Sequence, residues 1–306
     1  MNFNVSTQHV AASYLPMSAF TAQGTEQDQR PGQSQEQSQE QSTSACASAL
    51  RPLSELLKLM GSPETSLQTD SASPLQVSVR QVRAGTALFL EGTRATHLYV
   101  VRLGTFKTIK TAEDGYEQVL AFTGMGEVMG FEALCENRQP VAAMALEDAS
   151  VYAIPLNDWG SLREQCPALD RALQMALSRQ LMRVSEMTEL MAAVSSEVRL
   201  ARFIAWWAAR MAAHGQSSRR LLLRMSRRDI ASLLGIAHET VSRSFSAFVE
   251  CGLLRVDNRE IEVLDPAGLK ARTRNTRGFA DPIGARKPST PGCGGRVLLM
   301  QKEAGI

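Results

Sequence analysis

Residues 225–254 read MSRRDIASLLGIAHETVSRSFSAFVECGLL, and this stretch decides how the rest of the chain is read. Two short helices with one glycine between them account for it. Ser226 is placed to cap the first helix, with Asp229 three residues on returning a bond to the cap amide. Ile230, Leu233 and Leu234 give that helix an apolar face, and Ala231 is small enough for a second helix to cross over it. Gly235 falls where the chain leaves the helix, a position that often needs positive φ. Ile236 then fills the corner. The second helix, 238–250, turns Val241, Phe245, Phe248 and Val249 inward at helical spacing and leaves His238, Glu239, Ser242, Arg243 and Ser246 on the opposite face. Gly252 ends it.

A short helix, a tight turn and a second helix with a polar face make a helix-turn-helix, whose second helix enters the major groove of DNA. An ordinary helical hairpin with a solvated outer face is the competing reading. It leaves unexplained why Ala231, Gly235 and Val241 all sit where the motif's steric demands fall. The surrounding chain extends the unit: Leu221-Leu222-Leu223 reads as a strand entering it, and 253–256 and 261–264 flank Asp257-Asn258-Arg259-Glu260 as a wing.

At 306 residues with 44% apolar content, the chain has room for roughly two cores. The net charge of +2 is unevenly spread. Residues 1–49 carry four acids against Arg30, hence −3, and residues 265–306 carry eight Lys/Arg against three acids, hence +5. A basic end beside a helix-turn-helix suits a polyanion. No run approaches the ~18 apolar residues of a membrane span and no leader pattern is present, so a cytoplasmic protein without membrane contact is expected. Five scattered cysteines without a Cys-x-x-Cys pair read as separate thiols and not as a disulfide framework.

Residues 1–48, rich in Gln, Ser, Thr and Glu, are expected to form a disordered arm. Residues 50–60 predict a helix with Leu53, Leu56, Leu57 and Met60 on one stripe. From 75 to 155, seven brief strands separated by glycines predict an antiparallel roll, with Asp114-Gly115 as a hairpin turn. A helix from Pro167 to Ala193 follows, with Leu173, Leu177, Leu181, Val184, Thr188 and Met191 forming an uncharged seam that suits the same helix of a second copy. A mostly buried helix covers 196–211, and residues 269–306 are expected to be a basic, disordered tail. The predicted domains are therefore a β-roll at 49–165, a dimerisation helix at 166–194 and a winged helix-turn-helix at 195–268. The fold class is α+β.

Roll, long helix and winged helix-turn-helix, in that order over residues 50–265, resemble the CRP/FNR family of cyclic-AMP receptor and fumarate–nitrate reduction regulators. The most specific motif is Glu239-Thr240-Val241-Ser242-Arg243, which is similar to the fumarate–nitrate branch that reads half-sites like TTGAT. The resemblance implies double-stranded DNA and a second copy of the chain as partners, with RNA polymerase if the protein activates. It implies that Glu239 accepts from a cytosine amino group, that Arg243 donates to guanine O6/N7 and that Ser242 faces thymine. Glu239 and Arg243, four residues apart, are expected to brace each other. His238 is a phosphate contact or a secondary base contact, and Thr240, Ser226 and Arg227 complete the expected DNA-binding set.

The sensing end departs from the family. Oxygen-sensing members hold an iron–sulfur cluster with closely spaced N-terminal cysteines and a fourth in the roll, whereas this chain has Cys46 alone near its N-terminus and Tyr152 where the fourth is expected. The phosphate-holding pattern of the cyclic-AMP branch corresponds to Gly130-Phe131 and Val141-Ala142, without a guanidinium; Arg138 is off register. No cofactor and no metal are therefore expected. Haem or another small effector in the roll is the alternative, with His97, Tyr152 or Cys135 as iron ligands. No enzyme motif is present: no Gly-x-Ser-x-Gly, no phosphate loop, no dinucleotide fingerprint and no His-Glu-x-x-His.

Overall fold

The computed structural model describes residues 49–62 and 75–274. The N-terminal arm up to residue 48, Cys46 with it, lies outside the described residues, as does the tail from residue 275 onward.

A strand β1 (Ala49–Pro52) leads directly into helix α1 (Leu53–Leu59). Here the structure corrects the sequence reading, which ran one helix across both. Residues 49–52 pair with β2 (Gln76–Val82) as an edge strand, and Pro52, lacking an N–H, stands at the helix entrance. The stripe itself is as read: Leu53, Leu56, Leu57 and Met60 are all buried.

The roll continues through β3 (Ala87–Phe89), β4 (His97–Leu103), β5 (Phe106–Thr111), β6 (Glu117–Thr123), β7 (Val128–Met129), β8 (Ala142–Ala145) and β9 (Ala149–Pro155). Two antiparallel sheets result, ordered β1-β2-β9-β4-β7 and β3-β8-β5-β6. Between them Tyr99, Val101, Phe106, Met129 and Val151 pack with the alanines of β8 and β9. Small residues there let the sheets approach closely. The β5–β6 turn takes Gly115 at φ 81°, and the Tyr116 amide donates to the Asp114 carboxylate at 3.0 Å.

Helix α2 (Trp159–Gln165) and the first turns of the 25-residue α3 (Pro167–Met191) cover the outer face of the five-stranded sheet. Leu169, Ala172, Leu173 and Ala176 are buried there against α1 and the sheet. Leu173 is therefore occupied within its own chain, and the exposed seam begins only at Leu177. From Leu177 to Glu189 no residue of α3 is buried.

Helix α4 (Ser196–Ala213) brings Phe203, Ile204 and Trp207 into a second core. This core is shared with Ile109, Val119, Phe122 and Ala142 from the outer face of the four-stranded sheet and with the residues that follow α4: β10 (Arg220–Leu222), α5 (Arg227–Leu234), α6 (His238–Glu250), β11 (Leu254–Asp257) and β12 (Glu260–Val263). The three short strands form a sheet ordered β10-β12-β11. A last helix α7 (Pro266–Arg272), capped by Asp265, buries Leu269 and sits on α4. Residues 269–273, expected to belong to a disordered tail, are instead packed: Arg272 pairs with Glu197 at 3.1 Å, and Arg202 donates to the Thr273 carbonyl at 2.9 Å.

Candidate nucleic-acid interface and effector cavity

Helix α5 starts as its sequence dictates. The Ser226 hydroxyl accepts from the Asp229 amide at 3.1 Å, and the Asp229 carboxylate accepts from the Ser226 amide at 2.9 Å. Gly235 ends the helix at φ 61°, the left-handed conformation that a side chain would strain. Ala231 and Val241 are both buried at the crossing of α5 and α6.

On α6, His238, Glu239, Ser242, Arg243 and Ser246 are exposed on one face, and Thr240 is half-buried. Val249, read as inward, is 43% exposed, because Phe245 and Phe248 already fill the inner face. The expected Glu239–Arg243 brace is not formed. Glu239 Oε1 lies 3.1 Å from His238 Nδ1, and Arg243 reaches Thr240 Oγ1 at 3.4 Å. Ser242 donates back to the His238 carbonyl at 3.1 Å. The carboxylate and the guanidinium are thus each held by a neighbour one or three residues away and stand apart from each other on the open face.

Ser226 and Arg227 are committed inside the unit. Ser226 is the cap, and its hydroxyl also lies 2.6 Å from the Asp229 carboxylate. Arg227 stacks over the Phe245 ring, 3.5 Å from its centroid, and donates to the wing carbonyl of Asn258 at 3.3 Å. Burial lowers the Arg227 pKa. It ties the wing to the recognition helix.

The sequence reading missed how the unit is fastened to the roll. The Lys107 ammonium of β5 lies 2.8 Å from the Asp229 carboxylate. The buried Ser232 hydroxyl accepts from the Val119 amide at 2.9 Å and from the Tyr116 hydroxyl at 3.2 Å, and the Gln118 amide donates to the Ser232 carbonyl. These pairs are separated by more than a hundred residues, so no local pattern announces them.

A cavity of about 440 Å³ lies between the four-stranded sheet and helices α3 and α4. Its apolar wall includes Leu120, Phe122, Val128, Val141, Val184 and Met187. On its polar side Glu127 lies between two guanidiniums, 3.5 Å from Arg183 and 2.6 Å from Arg210. Val141, where a phosphate-holding arginine is expected in the cyclic-AMP branch, contributes only an apolar side chain. Arg138 points elsewhere and donates to the Gly92 carbonyl at 2.9 Å.

The suggested haem ligands are not brought together. His97 belongs with Tyr99 on the inner face of the five-stranded sheet, whereas Tyr152 packs on the outer face with α1. His97 Nε2 meets Arg80 at 3.2 Å and Nδ1 meets Thr96 at 2.8 Å; burial, then the Arg80 charge, lowers its pKa. Cys135 is exposed, Cys166 buried and Cys251 half-buried, on separate elements. Among the described residues no three His, Cys, Asp or Glu side chains group to hold a metal ion, and no helix is long and apolar enough to cross a membrane. The described cysteines do not fit an iron–sulfur cluster, which needs convergent thiolates.

Residues 79–166 match the cyclic nucleotide-binding domain, and residues 198–272 match the Crp-like helix-turn-helix domain. The chain is 36% identical over 190 residues to the transcriptional regulatory protein btr of Bordetella pertussis, covering 62% of this chain and 78% of that one. It is 34% identical over 202 residues to the transcriptional activator protein anr of Pseudomonas aeruginosa, covering 66% and 83%. The fumarate and nitrate reduction regulatory protein of Salmonella typhimurium is 32% identical over 201 residues, covering 66% and 80%. Among solved structures, FixK2 from Bradyrhizobium japonicum superposes with a TM-score of 0.58 at 26% identity, over 64% of this chain and 97% of that one. A nucleotide-type roll, an α5–α6 reading unit and relatives that are all named as regulators converge: this chain belongs to the CRP/FNR family of DNA-binding transcriptional regulators.

Proposed function

We propose that the protein is a homodimeric regulator that reads a TTGAT-like palindrome without an iron–sulfur cluster or cyclic AMP. The observation that carries the base-reading part is the open face of α6, where Glu239 and Arg243 are exposed and free of each other. Arg243 donates to guanine, Glu239 accepts from cytosine and Ser242 faces the thymine that distinguishes this branch. His238 keeps the Glu239 carboxylate in place and stands at the phosphate or at a neighbouring base. Thr240 steadies Arg243. Ser226 and Arg227 serve the interface by holding α5 and the wing.

The unburied stretch of α3, whose seam of Leu177, Leu181, Val184 and Thr188 carries no charge, supports pairing with a second copy, since a helix with no buried residue over several turns gains little from its own chain. RNA polymerase is a partner where the protein activates. The chain has no catalytic role in this reading. The cysteine spacing and the apolar Val141 support a protein without cluster or nucleotide.

The test is a gel shift with a TTGAT-N-ATCAA palindrome and with the same duplex altered at the guanine. Arg243→Ala is expected to lose the preference between the two, by about 1–3 kcal/mol for that base pair. Undiminished preference in the variant would remove Arg243 from the readout.

A second reading is favoured by the cavity beneath α3: a small, largely apolar effector bound there responds to the cell's state and alters DNA binding. None of His97, Tyr152 and Cys135 lines this cavity, so haem there would lack the expected iron ligands, and absence of a Soret band after reconstitution would exclude it.

A further inference from the structure

Ser232 lies near the end of α5, with its hydroxyl turned away from its own helix. Serines inside helices commonly donate back to the carbonyl four residues earlier, as Ser242 does to His238 and Ser246 to Ser242 on α6. Ser232 donates instead to the Glu117 carbonyl of β6 at 3.2 Å, while accepting from the Val119 amide and the Tyr116 hydroxyl. One donated and two accepted bonds use the full capacity of a hydroxyl. Its backbone carbonyl falls in the last turn of α5, where helix carbonyls lack a partner four residues on, and Gln118 of β6 donates to it.

The strand gains as much as the helix. β6 is an edge strand, last in the order β3-β8-β5-β6, and edge strands leave amides and carbonyls open. One serine of α5 closes this edge at Glu117 and Val119. About one turn earlier on the helix, the Lys107–Asp229 pair adds a charged link whose side chains are only 17% and 13% exposed.

The consequence concerns orientation. The chain passes from α3 into α4 through one elbow, residues 192–195. Arg199 pins that elbow to α5, donating to the Ala193 and Leu234 carbonyls at 2.7 and 3.0 Å. A unit held at one elbow still turns about it, and the attachment at Ser232, to a different part of the roll, removes that freedom. In a two-fold pair, the orientation of each unit sets the distance and rotation between the two α6 helices.

We propose that Ser232 is the positioning residue that fixes which half-site spacing the pair accepts. It touches no base. The proposal rests on the homodimeric palindrome reading and adds to it a determinant of spacing. One base pair inserted between half-sites displaces one of them by about 3.4 Å and turns it by about 35°. A unit attached at Ser232 follows that step only by parting from β6, whereas a released unit follows it freely.

The experiment is a gel-shift series with the full chain on TTGAT-N-ATCAA palindromes whose spacer changes one base pair at a time, each repeated with the guanine altered. Wild type is expected to favour one spacer over its neighbours by about tenfold or more. Ser232→Ala, a residue that suits a helix interior, is expected to bring that ratio to about threefold or less. Lys107→Met, which keeps the stem, and Tyr116→Phe, at a position 53% exposed, are expected to act in the same direction by smaller amounts. In all three the guanine preference stays as in wild type. A merely destabilised protein would bind every duplex more weakly and keep both ratios. Should circular dichroism show Ser232→Ala unfolded, the other two variants carry the test. An unchanged spacer ratio in the folded variants, a wild type indifferent to spacer, or guanine preference lost together with spacing preference overturns the proposal. A wild type that binds no duplex of the series fails the palindrome reading itself, and the spacing proposal with it.

Discussion

Asp229 has two partners at once. Its carboxylate closes the capping box with Ser226 and receives the Lys107 ammonium from the roll. Burial alone would raise its pKa, but hydrogen bonds from Lys107 and Ser226 outweigh burial and hold it below the usual carboxylate value. A carboxylate with a depressed pKa contributes stability that is complete above its unfolded value, about pH 4, and is lost as pH falls through the folded value. Asp229→Ala is therefore expected to cost about 1–2 kcal/mol near neutral pH, the usual size of a lost cap. The gap from wild type should shrink in acid below about pH 4. Urea unfolding of both proteins across that range measures it; a gap independent of pH would mean that the carboxylate's charge plays no part. The capping half of this role was legible in the Ser226–Asp229 spacing. The Lys107 half was not, since 122 residues separate the partners.

Elements were legible wherever a local period governs them. The α5–α6 pair, its glycine turn and the strands of the roll other than β7 follow from capping, apolar spacing and turn residues, and they lie where those signals put them. What failed needed knowledge of a neighbour. β1 is a strand because β2 offers it an edge, and Leu269 is ordered because α4 offers it a surface. Leu173 left the seam for the same reason, since α1 and the roll bury α3 as far as Ala176. Beyond it Leu177, Leu181 and Val184 are 42%, 63% and 60% exposed, too much apolar surface on one stripe for a helix left alone. If the proposed pairing along α3 holds, Leu181→Glu should leave the monomer fold intact and give a monomer where the wild type is dimeric in light scattering after size exclusion. A wild type that already runs as a monomer, or a variant that stays dimeric, would exclude pairing along this helix.

At the scale of the whole molecule, the core of the DNA-reading unit is incomplete without the roll. Ile109, Val119 and Phe122 belong to the same buried cluster as Ile230, Leu234 and Phe248. The edge-to-face contacts of Phe122 with Phe203 and Trp207, at 6.3 and 6.2 Å, tie the sheet to α4. Tryptophan emission and far-ultraviolet dichroism are accordingly expected to report one coincident unfolding transition for residues that a domain count would divide in two. Two well-separated transitions would show that the shared cluster contributes little. None of this was visible in the sequence, where the strands of the roll and the helices of the reading unit each look self-sufficient.

The attachment of α5 to the β5–β6 hairpin through Ser232 and Asp229 has a mechanical corollary. The reading helix takes its bearing from the sheet, with α4 as only one of its supports. Any tilt of the hairpin is therefore passed to α6 through α5, which packs on both.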